Sequence, residues 1–281
     1  MPSACSRCGA AEAYLLNTPV EPDFEPSAIA ADLRPAFFSG HLDAVCANCG
    51  LYQAYRRFTA HELEVVNGLG KDVLTTEEAY KDYPVPKEFI DGWYGDSIER
   101  QRRRWTKVLG ELGLAPRRVL FLRYWFGRAP EMFATEFGAE VYGLDISPVC
   151  VRYVREHCPV VRQLQGSING ALKGDFLDGP AFDGVITQHV LVHANNAPQM
   201  LRQLRHLVRD GGFLLLNAET KVAPTNPFHK FYPSEYQLAS LLREEFDEVY
   251  KLDEQGIIAQ DDWRKYTGRA TEFLGVLRRA A

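Results

Sequence analysis

From Arg117 onward, short apolar runs alternate with stretches whose apolar residues recur every three or four positions. That alternation is the mark of strand-helix-strand units around a mostly parallel sheet covered on both faces. Strands are predicted over 119–122, 140–145, 160–164, 182–187 and 213–217. Helices are predicted over 130–137, with Pro130 near its start, over 148–157, and over 197–208, where Met200, Leu201, Leu204 and Leu207 fall at helical spacing. Asp210-Gly211-Gly212 then reads as the stop that ends this helix before the next strand. Ahead of this region the pattern differs. Residues 51–58 alternate apolar and polar like a strand, the sequence after Thr59 is helical in character, and Tyr83-Pro84-Val85-Pro86 breaks it. A long helix is predicted over 87–112, and its run Arg100, Arg102, Arg103, Arg104 reads as a solvated face paired with Glu99. The fold class is therefore α/β, a doubly wound sheet with a small N-terminal domain, divided as 1–85, a linking helix over 86–114, and 115–281.

Composition narrows the function. The chain of 281 residues exceeds a typical single domain, and 46% hydrophobic with 25% charged residues is ordinary for a folded globular protein. A net charge of -5 does not suit a chain whose main partner is a phosphate backbone, so no nucleic acid is expected. Neither a leader segment nor a run of the roughly 18–20 apolar residues that a spanning helix needs is visible, so no membrane association and a cytoplasmic location are expected.

Four of the six cysteines stand in two tight pairs, Cys5-Ser-Arg-Cys8-Gly9 and Cys46-Ala-Asn-Cys49-Gly50. In a reducing compartment such pairs point to metal rather than to bridges. Cys5, Cys8, Cys46 and Cys49 form a thiolate set suited to tetrahedral Zn²⁺, with no position left open for water, so the ion is expected to be structural. A ribbon this short buries little core, and the metal supplies the missing folding free energy. Cys150 and Cys158, the remaining two, read as small buried side chains.

Open sheets of this class bind ligands beyond the carboxyl ends of their strands. Asp145 closes the second strand. A carboxylate there suits the two hydroxyls of a ribose, although capping of the helix that begins near Ser147 is the competing role.

The order Gly143-Leu144-Asp145, then Phe182-Asp183-Gly184-Val185-Ile186-Thr187-Gln188-His189-Val190-Leu191-Val192-His193, then Leu207-Val208-Arg209-Asp210-Gly211-Gly212-Phe213-Leu214 resembles class I S-adenosylmethionine-dependent methyltransferases. The stretch from His229 to Ser234 looks like their segment after the fifth strand, with 248–252 and 272–277 as an antiparallel last pair. The paired knuckles are similar to the zinc-containing N-terminal domain of sugar C-methyltransferases. The resemblance implies S-adenosylmethionine as cofactor, a small-molecule acceptor, and cofactor contacts from Arg123, Gly127, Asp145, Ile146 and Gln188. Whether the chain self-associates or takes a protein partner is left open.

One loop departs from the family, in which the first strand is followed by an acid and alternating glycines. Here the stretch is Phe121-Leu122-Arg123-Tyr124-Trp125-Phe126-Gly127-Arg128, with only Gly127 at an expected glycine. Two accounts compete. In one, the loop is remodelled and Arg123 or Arg128 binds the cofactor carboxylate; in the other, the pocket is altered and the domain no longer transfers methyl groups. For proton removal from the acceptor the candidates are His189, Glu219, His229 and Tyr232. His189 and His193 would share a face if their segment were helical, with His193 read as packing. A nucleotide-binding oxidoreductase is disfavoured because no G-x-G-x-x-G follows the first strand.

Overall fold

The computed structural model describes residues 5, 8, 10, 13–18, 41–48, 52–54, 87–124, 126–145, 147–165, 182–194, 196–220, 231, 233–259 and 270–278. Cys49, Trp125, Ile146, His229 and Tyr232 lie outside the described residues, as does the side chain of Glu219.

In the N-terminal part, β1 (Ala13–Thr18), β2 (His41–Cys46) and β3 (Tyr52–Ala54) form an antiparallel sheet in that order, with Ala13 opposite Cys46 and Val45 opposite Tyr52. The remainder is built from α1 (Lys87–Glu111), β4 (Arg118–Leu122), α2 (Arg128–Phe137), β5 (Glu140–Asp145), α3 (Pro148–His157), β6 (Val161–Gln165) and β7 (Phe182–Gln188). A 3₁₀ turn at Leu191–His193 leads to α4 (Ala197–Leu207), β8 (Val208–Glu219), α5 (Glu235–Arg243), β9 (Glu248–Leu252), β10 (Ile257–Ile258) and β11 (Ala270–Val276). These strands make one sheet in the order β10-β9-β11-β8-β7-β4-β5-β6. Neighbours from β6 to β8 are parallel, and β11 enters antiparallel between β8 and β9. Among the described residues no helix is long and apolar enough to cross a membrane.

Both faces of the sheet are buried, which is why its central strands read as continuous apolar runs. Val119 and Phe121 of β4 join Trp105 of α1, Phe133 of α2 and Val154 of α3 in one core; Leu120 and Leu122 join Leu201 of α4 and Leu238 of α5 in the other. The Phe133 ring centroid lies 5.4 Å from that of Trp105, tilted, and 5.3 Å from that of Phe121, edge to face, so α1 is pinned to the sheet through aromatic contacts. The helices start where the sequence supplies caps. Ser147 Oγ accepts from Cys150 N at α3, and Ser234 with Gln237 forms a capping box at α5. A buried ion pair of 2.7 Å between Lys251 and Glu235 ties α5 to β9.

Two expectations are corrected. The Asp210-Gly211-Gly212 stretch does not stop a helix: α4 ends at Leu207, and these residues already belong to β8. They form the irregularity between two β7 pairs, Phe182 with Val208 and Gly184 with Phe213, and Gly211 at φ 78° absorbs it. A Cβ on Gly212 would stand 2.6 Å from the Asp183 carbonyl, so only glycine allows this approach. Nor is 189–193 a helix. His189 has φ 52°, which throws the chain out of the helical region and separates the two histidines, leaving only the 3₁₀ turn.

Candidate active site

Helices α1, α2 and α3 cover one face and α4 and α5 the other, so the chain changes face between β4 and β7. At such a switch point the strand ends diverge and leave a crevice. Arg123, the first residue after β4, adopts φ 59°, a left-handed conformation usually left to glycine. Its amide still donates to Leu144 O at 2.9 Å, extending the ladder by one bond. Its guanidinium Nη1 reaches across the switch point, donating to His189 O at 2.9 Å and lying 2.8 Å from His193 Nε2. A guanidinium offers no lone pair, so His193 accepts through Nε2 and carries its ring proton on Nδ1. Arg123 thus takes a glycine's backbone position and fills the space that a glycine would leave.

Next to it, the buried Tyr124 lays its ring over β5. A Cβ on Gly143 would stand 2.6 Å from the Tyr124 ring, so glycine at this strand position makes room for the aromatic. Burial, followed by the nearby Asp145 charge, pushes the Tyr124 phenol well above its ordinary pKa, so it stays protonated. Gly127 closes the turn by donating to Tyr124 O at 3.0 Å and begins α2 in a left-handed conformation. The space beside its Cα is taken by Val154, 2.7 Å from a built Cβ.

Asp145 ends β5 and is 4% exposed. Its Oδ1 accepts from Ser147 N at 2.9 Å, while the α3 cap is Ser147 itself. The carboxylate therefore organises the turn into the helix from two residues before the cap. Gln188 ends β7, half-buried, opposite Asn217 of β8. Asn217 is in turn opposite Glu272 of β11, so the three form a row along the same rim. Glu272, also 4% exposed, accepts from Trp105 Nε1 at 3.0 Å, from Arg104 Nη2 at 2.8 Å and from Asn217 Nδ2 at 3.4 Å. Arg104 is thus not on the solvated face of α1, where Arg102 and Arg103 do bind Glu99 at 2.7 and 2.8 Å. Glu219 ends β8 opposite Ala270.

In the N-terminal part the ligand atoms of Cys5, Cys8 and Cys46 lie within 4.8 Å of one another, with Cys8 Sγ 3.6 Å from Cys46 Sγ. Cys5 N donates to Ala10 O at 2.9 Å, closing the first knuckle.

Residues 126–216 match the family model described as a methyltransferase domain. The match covers 91 of the 281 residues. It begins inside the loop after β4, at Phe126, so β4 and Arg123 precede it, and it takes in Asp145, Gln188 and the turn with His193. None of the curated proteins matches the sequence. Among solved structures, the plantazolicin methyltransferase BpumL superposes with TM-score 0.54 at 11% identity, over 78% of this chain and 97% of that one. The 1,6-didemethyltoxoflavin-N1-methyltransferase of Burkholderia thailandensis does so with TM-score 0.51 at 16% identity, over 83% and 97%. These superpositions agree on the fold of the methyltransferase domain. An O-methyltransferase family protein from Burkholderia thailandensis superposes more loosely, with TM-score 0.48 at 18% identity over 74% of this chain, which spans 64% of that protein's length.

Of the residues singled out in the sequence, the methyltransferase domain brings Arg123, His189 and His193 into contact and sets Asp145 and Gln188 on the same rim. Gly127 stands back from that rim against α3. Sequence reasoning missed Tyr124, Arg104 and Glu272. Arg104 and Trp105 follow Gln101 at helical spacing, which is the one local signal that this side of α1 faces inward.

Proposed function

We propose that this chain transfers a methyl group from S-adenosylmethionine to a small-molecule acceptor, an intermediate of cytoplasmic biosynthesis. The methyltransferase-domain match over residues 126–216, with a carboxylate at the end of β5, is the observation that carries the reading. The donor set suits the cofactor: Asp145 offers acceptors for a ribose diol, and Arg123 a guanidinium for a carboxylate. When bound, the cofactor supplies an electrophilic methyl on sulfur. Asp145 would hold the ribose and Arg123 orient the amino-acid end, with Ile146 and Gln188 as further cofactor contacts, while Gly127, packed against Val154, would serve the site through the turn it closes. His189 would take the acceptor's proton, with Glu219, His229 and Tyr232 as the further candidates for that role.

Calorimetric titration with S-adenosylhomocysteine tests this reading. Asp145→Ala should weaken binding by about 1–3 kcal/mol, roughly 5- to 150-fold, and an unchanged dissociation constant would return Asp145 to a turn-organising role. A second reading is favoured by Arg123, whose guanidinium already spans the switch point: the domain has lost ordinary cofactor binding and acts as a scaffold, a partner subunit or an enzyme of altered chemistry. No rise in melting midpoint with millimolar S-adenosylhomocysteine would select it.

For the N-terminal part we propose a zinc ribbon over 1–85, joined by the helix over 86–114 to the domain over 115–281. Sulfurs at about 2.3 Å from zinc stand roughly 3.7–3.8 Å apart, which suits the 3.6 Å between Cys8 and Cys46, with Cys5 and Cys49 completing the set. Cys46→Ser should release the ion, read by elemental analysis, and leave the melting of the methyltransferase domain in place.

A further inference from the structure

The rim does not end at the switch point. Gln188, Asn217 and Glu272 continue it in register toward β11, and His189 N donates to Asn217 O at 3.0 Å, coupling this row to the loop that Arg123 holds. Over the far end of the row lies α1. Glu272 is closed from solvent and gathers three donors, from Trp105, Arg104 and Asn217. A buried carboxylate and guanidinium that meet each other leave no net charge, and a charged ligand set between them would leave one charge uncompensated.

Around this neutralised pair, polar atoms are left over. Gln101 Oε1, Arg104 Nε and Asn217 Oδ1 are buried and have no hydrogen-bond partner among the described residues. Gln101 lies one helical turn before Arg104 and Trp105, on the same side of α1. The Asn217 amide is oriented by its Nδ2 bond to Glu272, so its unmet atom is the acceptor oxygen. Each such group destabilises the fold when buried unmet, and native interiors hold few of them. Two of these atoms belong to residues that bind Glu272, Arg104 and Asn217, and the third belongs to Gln101, one turn earlier on α1. Their complement is a group with one acceptor and two donors and no charge.

We infer that Gln101, Arg104, Asn217 and Glu272 form the subsite that recognises a carboxamide or urea-type group of the methyl acceptor. Its carbonyl accepts from Arg104 Nε, and its N–H groups donate to Gln101 Oε1 and Asn217 Oδ1, while Glu272 holds Arg104 and Asn217 in place. This assignment rests on the methyl-transfer reading, since the acceptor must lie beside the crevice at the switch point.

The full chain would be examined by saturation-transfer NMR with millimolar acetamide, urea, propane-1,2-diol, acetate and methylammonium as probes. Acetamide and urea should receive saturation, the other three should not, and Gln101→Leu should lower the amide signal at least fivefold. Among the described residues Gln101 makes no hydrogen bond through Oε1, so the leucine variant should fold. If its melting midpoint falls, Gln101→Glu, which keeps an acceptor oxygen, should retain the acetamide signal. Absence of transfer to both amides, equal transfer to the diol or the ions, an unchanged signal in Gln101→Leu, or its loss in Gln101→Glu would each overturn the assignment. S-adenosylhomocysteine, titrated separately, should bind the wild type and Gln101→Leu alike. Its failure to bind the wild type would remove the methyl-transfer reading and leave the amide result as that of a binding site alone.

Discussion

At the β4–β5 end of the rim the loop side chains are spent on bonds and packing within the chain, although Gln163 Nε2 and Thr187 Oγ1 nearby are buried with no partner among the described residues. Arg123 spans to His189 and His193, Tyr124 covers Gly143, and Asp145 holds the Ser147 amide. At the β8–β11 end Glu272 gathers three donors, yet Gln101, Arg104 and Asn217 each keep a buried atom without a partner among the described residues. The first arrangement stabilises the crevice in the absence of ligand, and a cofactor must compete with bonds already made. The second leaves its desolvation cost uncompensated, so a neutral polar ligand gains what the fold has forgone.

The largest blow to this contrast is Glu272→Leu, which strands Arg104 and the Trp105 N–H in a closed space. Removing one partner of a buried pair costs about 3–5 kcal/mol, and chemical denaturation should show a loss of that order. A loss under about 1 kcal/mol would mean that the β8–β11 end is wet and that its unmet atoms cost little. Gly143→Ala attacks the other end. The new methyl meets the Tyr124 ring, and displacing the ring should cost about 1–3 kcal/mol in the same measurement. Stability equal to wild type would show that Tyr124 swings away freely and that the crevice is open to a nucleoside. Glu99→Gln is the control on the exposed side of α1. Hydrogen bonds from Arg102 first, then Arg103, hold the Glu99 carboxyl down at about 2, so its contribution is present above the ordinary carboxylate range and fades only as pH falls toward 2. On a fully exposed side chain that contribution is screened, and the melting midpoint between pH 5 and 8 should not move measurably. A clear fall would place part of α1's docking on its outer face.

The sheet was legible because burial on both faces demands unbroken apolar runs, as at 119–122 and 182–187, and strand ends then mark the rim without further information. Asp145 was found that way. Arg104 was not, because Arg102, Arg103 and Arg104 are chemically identical and differ only by a rotation about the helix axis; what turns one inward is a carboxylate on the last strand. The role of Tyr124 was equally hidden, since it depends on a missing Cβ in the neighbouring strand rather than on anything beside it in the sequence. The glycines at 211 and 212 suit a helix stop and a strand irregularity alike, and only the ladder with β7 decides between them.

The placement of β11 has a consequence for biogenesis. Among the described strands it is the latest to leave the ribosome, yet its position is interior, between β8 and β9. Until residues 270–276 emerge, β8 has no neighbour on that side, and α1, translated long before, has no Glu272 to meet Arg104 and Trp105. The nascent polypeptide therefore waits with an open hydrophobic seam, and a truncation just short of this strand should be a client of chaperones rather than a smaller version of the protein.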